Sequence, residues 1–231
     1  MNAATKPFLK LKKAAKARVR SGHPWVFAGE VESVPSTEWD GGLLDLRDER
    51  GRFLGSGIFN SRSKIVWRRV SREALADLDQ GFFQKAISAA VARRKEEPFR
   101  RLVWSEADGL PGLIVDQFDD VLVVQTMTLG MDMRLSTIAD VLQALLGPRE
   151  MIFRNDAPAR AHEGMDLTVS TLSGKPFSEE VFAIDGFNYK LNLYSGQKTG
   201  FYLDQRKEHA AIAQYASGRR VLDAFCNMGA F

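Results

Sequence analysis

The sequence predicts an α/β chain with α+β character: an N-terminal β-barrel, a small central α+β domain, and the opening elements of a further α/β unit. Three observations predict it. Residues 43–70 alternate apolar and polar side chains around turns and glycines, the period-two pattern of strands. Residues 82–153 mix strand-like runs with two stretches of helical periodicity. Residues 219–231 run from a short apolar segment into a glycine-containing turn.

In the first region Leu43–Leu46 reads as a strand, Asp48–Gly51 as a turn and Phe53–Phe59 as the partner strand. Gly55 and Gly57 interrupt the second of these, as a bulge or tight bend in a small barrel requires. Lys64–Val70 is a further strand. The character then changes. Phe83, Ala86, Ile87, Ala90 and Val91 predict a helix over 82–95. Leu102–Trp104 and Leu113–Val115 are strands separated by the Pro111–Gly112 turn, and Val121–Thr126 is a third. Leu135, Ile138, Leu142 and Leu145 mark a helix over 134–146, stopped by Gly147–Pro148, before a strand at Met151–Phe153. Asp185–Gly186 between Val181–Ile184 and Phe187–Leu193 is a two-residue hairpin. A polar loop, Ser195–Gly200, leads to a helix over 204–215 with Asp204 as N-cap, and Arg219–Phe225 is the last strand. A first strand alone cannot bury both faces, so this last segment is expected to be poorly supported.

The 231 residues are 45% hydrophobic and 26% charged, an ordinary globular composition with no repeat or low-complexity tract. No apolar run reaches the roughly 20 residues of a spanning helix, and no apolar segment follows the basic N-terminus as in a secretory signal. Cys226 is the sole cysteine, which excludes an internal disulfide and suits a cytoplasmic location. With His23, His162 and His209 far apart, no metal site is expected. Net charge is +3, unevenly spread: residues 1–72 carry 15 Lys/Arg against 7 Asp/Glu, and no acid precedes Glu30. A basic module facing nucleic acid has this signature, and so has a plain solvated face.

Two stretches near the end carry chemistry. In Val221–Phe231 an apolar segment brings Asp223 to a turn containing Gly229, which sets a carboxylate and backbone N–H groups beside a bound nucleoside. Just upstream, Gly196-Gln-Lys-Thr-Gly-Phe-Tyr-Leu-Asp-Gln-Arg206 packs glycines, polar groups and two aromatics into one loop-to-helix junction. Together they resemble the cofactor-binding core of the bacterial 23S rRNA large-subunit cytosine-C5 methyltransferases that carry an N-terminal PUA domain, S-adenosyl-L-methionine-dependent enzymes of class I. That family has a loop of the form G-x-K-T-G-[FY]-[FY]-L-D-Q-R before an L-[DN]-x-F-x-x-x-G-x-F turn. Gly22-His-Pro-Trp-Val-Phe27 resembles the opening of its PUA domain, and Glu106-Ala-Asp-Gly-Leu-Pro-Gly-Leu113 its central hairpin.

The resemblance implies three units: a PUA-like RNA-binding barrel (1–74), a central α+β domain (75–178), and a hairpin with the start of a Rossmann-like methyltransferase domain (179–231). It implies that Lys198, Thr199, Gly200, Tyr202, Asp204, Asp223, Phe225, Asn227 and Gly229 line an S-adenosylmethionine pocket. Lys12, Lys13, Arg20 and His23 are the candidate contacts to 23S rRNA, and a homodimer is left open. Trp25 is read as barrel core rather than a base-stacking ring, and the run Arg154, Asn155, Asp156, Arg160 and Glu163 as a solvated loop. In the family the nucleophilic cysteine lies beyond a D-P-P motif on a later strand. Cys226 is therefore read as a small buried residue, no catalytic residue is assigned, and the chain by itself is expected to be inactive. A guanine-N7 methyltransferase relative and a stand-alone RNA-binding module are the alternatives. A dinucleotide or P-loop protein is disfavoured, because no G-x-G-x-x-G or Walker motif is present.

Overall fold

The computed structural model describes residues 7–15, 17–226 and 229–230. The chain begins with β1 (Phe8–Lys10), a single helical turn α1 (Ala17–Arg20), β2 (Trp25–Val26), β3 (Leu43–Arg47), β4 (Phe53–Phe59) and β5 (Trp67–Ser71). These strands form one sheet in the order β1-β3-β4-β5-β2, with β1 parallel to β3 and the other pairs antiparallel. The sheet curls into a half-barrel. The β-barrel expected from the sequence takes the form of this curled sheet, and among the described residues its two ends meet at the Leu11–Val31 bridge. Register shifts at Leu46/Arg47 and Ser56/Gly57 supply the curl. Gly57 is required there, because a Cβ would stand 2.3 Å from the Arg68 carbonyl oxygen. Inside the curl Leu9, Val19, Leu44, Leu46, Phe59 and Trp67 pack together, and the Trp67 indole N–H donates to Leu44 O at 2.9 Å.

The second unit has α2 (Gln80–Ala92), β6 (Phe99–Trp104), β7 (Leu113–Phe118), β8 (Val121–Thr126), a turn α3 (Leu129–Asp132), α4 (Leu135–Leu146), β9 (Glu150–Asn155) and β10 (Thr168–Thr171). Its sheet order is β10-β9-β8-β7-β6, antiparallel except for β8 beside β9, where α4 makes the crossover. α2 starts where the Asp79 carboxylate accepts from Phe82 N–H at 2.8 Å. The two residues after its end grip the buried acid Asp108, Arg93 at 2.6 Å and Arg94 at 2.7 Å. The sheet is covered on both faces. Leu122 and Val124 meet the helices, while Val121 and Val123 meet aromatic groups from the third unit. That two-sided burial is why β8 is apolar throughout rather than alternating.

The third unit is a hairpin, β11 (Glu180–Ile184) and β12 (Phe187–Leu191), followed by α5 (Arg206–Ala216). Asp185 and Gly186 both have positive φ, 50° and 88°, as the two-residue turn demands. β12 stops before Leu193, because Asn192 Oδ1 takes the N–H groups of Tyr194 (3.1 Å) and Ser195 (2.9 Å) and turns the chain.

Several expectations are corrected. The run Arg154–Glu163 is not a solvated loop: Arg154, Asn155, Arg160 and Glu163 are each less than a twentieth exposed. Glu163 accepts from Asn60 Nδ2 (2.9 Å) and Ser63 Oγ (2.6 Å) and pairs with Arg68 (3.3 Å), so it faces the first sheet, while Arg160 reaches Thr126 and Asp132 and Arg154 reaches residues 193–196. Trp25 is half-buried instead of core; its indole N–H donates to Glu106 Oε1 at 2.6 Å across the same junction. Asp204 does not cap α5 but lies in the 3-10 turn Leu203–Gln205 before it. Residues 219–225 form no strand. No neighbour is available to pair with them, and Leu222 is 90% exposed. Cys226 is exposed rather than buried, for the same reason.

Two outcomes follow. Glu163→Ala removes the buried carboxylate that Asn60, Ser63 and Arg68 share and lowers stability by about 3 kcal/mol, as read by urea denaturation. A loss under about 1 kcal/mol refutes that role. Burial alone would raise the Asp108 pKa, but hydrogen bonds from Arg94 and Arg93 outweigh it and hold the group below the usual 3.8. Its stabilising contribution is therefore present above pH 3.8 and is lost as pH falls through the lowered value. Asp108→Asn flattens the acid limb of a stability–pH profile.

Candidate cofactor wall and RNA-facing surface

The loop 195–200 is shaped by two glycines. A Cβ at Gly196 would stand 2.5 Å from Asn192 O, and one at Gly200 (φ +115°) would stand 2.4 Å from Leu193 Cδ2. The central sheet then holds the loop from beneath. The buried Arg154 guanidinium on β9 donates to Leu193 O (3.0 Å) and Gly196 O (2.8 Å) and pairs with Asp156 (2.9 Å). On β7 the fully buried Asp116 receives Arg101 through two bonds (2.8 and 2.9 Å) and the Thr199 hydroxyl at 2.6 Å. Past the loop, Arg206 donates to Phe99 O (2.5 Å) and Asp185 (2.8 Å) and pairs with Glu97 (3.2 Å), locking α5 to the hairpin and β6. Its hydrogen bond to Asp185 holds that carboxyl below the ordinary range.

Between this loop and residues 223–226 lies a cleft of about 750 Å³. Gln197, Tyr202 and His209 line one side, Asp223, Phe225 and Cys226 the other. Phe201 backs it, 5% exposed, against Tyr189 at 4.9 Å between centroids. The Tyr202 hydroxyl donates to Gln197 Oε1 at 3.0 Å, and Lys198 Nζ lies 3.9 Å from the Tyr202 ring centroid and 3.9 Å from Asp204. Asp223 Oδ2 is buried without a hydrogen-bond partner among the described residues. An orphaned acceptor in a cleft requires a donor to complete it.

The sequence-derived site residues thus divide. Tyr202, Asp223 and Phe225 line the cleft, with Lys198 and Asp204 beside Tyr202. Thr199 and Gly200 are 1% exposed and tightly packed, respectively, and shape the loop rather than the cavity. Gly229 (φ +67°) closes the turn by donating to Cys226 O at 2.7 Å, and Asn227 lies outside the described residues. Sequence reasoning missed Arg154, Asp116 and Arg206. Arg206 ends the motif itself, and its invitation to a role was its place after Asp204–Gln205; the other two gave no local signal.

On the first sheet, Arg20 folds back to donate to Ala15 O (2.5 Å), Lys12 O (3.2 Å) and Lys13 O (3.0 Å) and pairs with Glu49 at 3.1 Å. It clasps the turn that presents the exposed Lys12 and Lys13. His23 Nδ1 lies 2.8 Å from Arg18 Nη1 and accepts from Trp25 N–H at 3.1 Å, an internal role. No helix among the described residues is long and apolar enough to cross a membrane.

With this geometry in place, similarity becomes informative. The family described as PUA-like domain matches residues 9–72, which cover all but the first residue of the half-barrel strands. The chain is 34% identical over 92% of its length to a protein named ribosomal RNA large subunit methyltransferase I from Alteromonas mediterranea. It is 33% identical over 96% of its length to one of the same name from Shewanella amazonensis. It spans about half the length of these relatives, 55% and 58%. Among solved structures, the fold matches a putative SAM-dependent methyltransferase from Streptococcus mutans with a TM-score of 0.75 at 18% identity, covering 96% of this chain and 58% of that one. A putative methyltransferase complexed with SAH matches at a TM-score of 0.78 and 18% identity, with 97% and 58% covered.

Thr199→Val removes one of the three bonds to Asp116 and costs about 1–2 kcal/mol, read by thermal unfolding. Thr199→Ser, which keeps the hydroxyl, stays near wild type; equal losses for both would show that packing, not the bond, sets the position.

Proposed function

We propose that this chain is the RNA-targeting portion and first cofactor wall of an S-adenosyl-L-methionine-dependent rRNA methyltransferase acting on 23S rRNA. The 34% identity over 92% of the chain to a relative named ribosomal RNA large subunit methyltransferase I carries the reading. Residues 1–74 are taken as the RNA-binding unit, 75–178 as the central domain and 179–231 as the start of the methyltransferase domain, working in the cytoplasm where rRNA is matured.

The cofactor, when bound, supplies the electrophilic methyl group. The residues of the cleft suit it. Asp223 offers an unsatisfied acceptor to the cofactor's ammonium or hydroxyl donors. Lys198 offers a cation to its carboxylate, and Tyr202 an aromatic wall. We assign cytosine C5 as the target on the sequence resemblance. That chemistry uses a thiolate that adds to the ring. Cys226 is not assigned this role: it sits in the turn closed by Gly229, beside Asp223 and Phe225 in the lining of the cleft.

The test is binding of a 23S rRNA fragment by fluorescence anisotropy across a salt series. Affinity is expected to fall steeply with salt, and charge reversal at Lys12 and Lys13 to weaken it further. Salt-independent or absent binding overturns the reading. The chain alone is expected to transfer no methyl group from labelled S-adenosylmethionine to that fragment, and Cys226→Ser to leave RNA binding unchanged; turnover abolished by Cys226→Ser would overturn the assignment of that residue.

A further inference from the structure

Several cations of the first unit are matched by carboxylates. Arg18 pairs with Glu30, Arg20 with Glu49, Arg52 with Asp48, and Arg68 with Glu106 and Glu163. Arg69 and Arg72 are different. Arg69, on β5, is only 9% exposed, yet no carboxylate meets it among the described residues. Its Nη1 donates to Gly22 O at 2.5 Å, while its Nε is buried without a partner. Arg72 follows β5, is exposed, and has no hydrogen bond or ion pair among the described residues.

The two guanidinium groups converge on one point. A Cβ built on Gly22 would stand 2.8 Å from Arg72 Nη2 and 3.4 Å from Arg69 Nη1. Gly22 has φ +109°, so glycine both permits the turn and leaves the space clear. Two like charges held this close repel, and more strongly when one is buried. Burial and the charge of Arg72 together push the Arg69 pKa down. Among the described residues no carboxylate pairs with either arginine, and Glu30 and Glu49 are engaged by Arg18 and Arg20. An arrangement that is repulsive by itself becomes favourable around an anion with several acceptor oxygens, and a guanidinium pair matches a phosphate in shape as well as charge.

We propose that Arg69, Arg72 and the Gly22 turn form a phosphate site that holds one backbone phosphate of the RNA. The proposal rests on the RNA reading above and adds a defined contact, separate from Lys12 and Lys13. It also gives the Gly22-His-Pro-Trp segment a purpose. The turn leaves α1, presents Gly22 to the arginine pair, and continues to Trp25, whose ring lines a second cleft of about 400 Å³ beside Phe27 and Arg68.

The test compares wild type, Arg72→Gln and the surface control Lys85→Gln, binding a single-stranded 23S-derived RNA across a salt series. Loss of one phosphate contact lowers the slope of log K against log salt by about 0.7, a roughly fourfold weakening at about 0.15 M salt. Arg72→Gln is expected to show this and Lys85→Gln not. Arg72→Lys, which keeps charge but not the fork, is expected to weaken binding without changing the melting temperature. An unchanged slope in Arg72→Gln overturns the site. If wild type binds no RNA, the functional reading fails by itself, and inorganic phosphate decides the site. Phosphate-dependent thermal stabilisation of wild type that is lost in Arg72→Gln keeps it; no stabilisation overturns it.

Discussion

The structure depends on buried charge in the central sheet. Asp116 and Arg154 are 0% and 4% exposed, and an isolated ion at such a site is untenable. Each must be paired, and the pairing groups come partly from elsewhere in the chain. Arg101 neutralises Asp116 from the adjacent strand, but Thr199 completes it from 83 residues away. Arg154 is neutralised locally by Asp156, yet spends its remaining donors on Leu193 O and Gly196 O. The loop after the hairpin is placed by what the central sheet lacks. Its conformation follows from two strands that do not touch the cleft.

The same logic acts at the other junction. Glu163 and Glu106 reach toward the half-barrel and take Asn60, Ser63, Arg68 and Trp25. The apolar core also runs across it, with Leu43 and Ile58 of the first sheet packed among Phe83, Leu113 and Met131. Apolar burial supplies most of the favourable free energy and is indifferent to register. The hydrogen-bonded carboxylates supply direction, since displacing either sheet by one residue would strand a buried ion. The two effects together make the central unit a block that fixes both the half-barrel on one side and the loop 195–200 on the other.

Much of this was legible in the sequence because the signals are local. The Asp185–Gly186 turn, the Leu135–Leu145 stripe and the glycine-broken β4 each carry their reason within a few residues. What was missed is non-local. β1 pairs in parallel with β3, Phe8 opposite Asp45, and β2 is two residues long, too short for periodicity to register. The polar run at Arg154–Glu163 reads as solvated because composition records polarity and not partnership; Asn60 and Ser63 lie some 100 residues away. Likewise the motif at 196–206 located the cleft but not the division of labour within it. Thr199 lies between lining neighbours and yet faces Asp116, which only the fold reveals.

The two walls of the cleft are unequal, and that inequality governs what the site does. The loop wall is held by ions whose partners are buried and whose glycines admit no other side chain. The opposite wall offers Asp223, but there Val221 and Leu222 stand 66% and 90% exposed and Phe225 fully so. Burying each such side chain is worth about 1.5–3 kcal/mol. Those contributions are unrealised here, whereas the loop wall has already gained its own. A ligand completing Asp223 therefore gains one charge-assisted contact, about 1.5–3 kcal/mol, against the cost of ordering a segment that pairs with no strand. Affinity for a ligand in this cleft is consequently limited by the cost of ordering residues 221–225, and not by the loop wall.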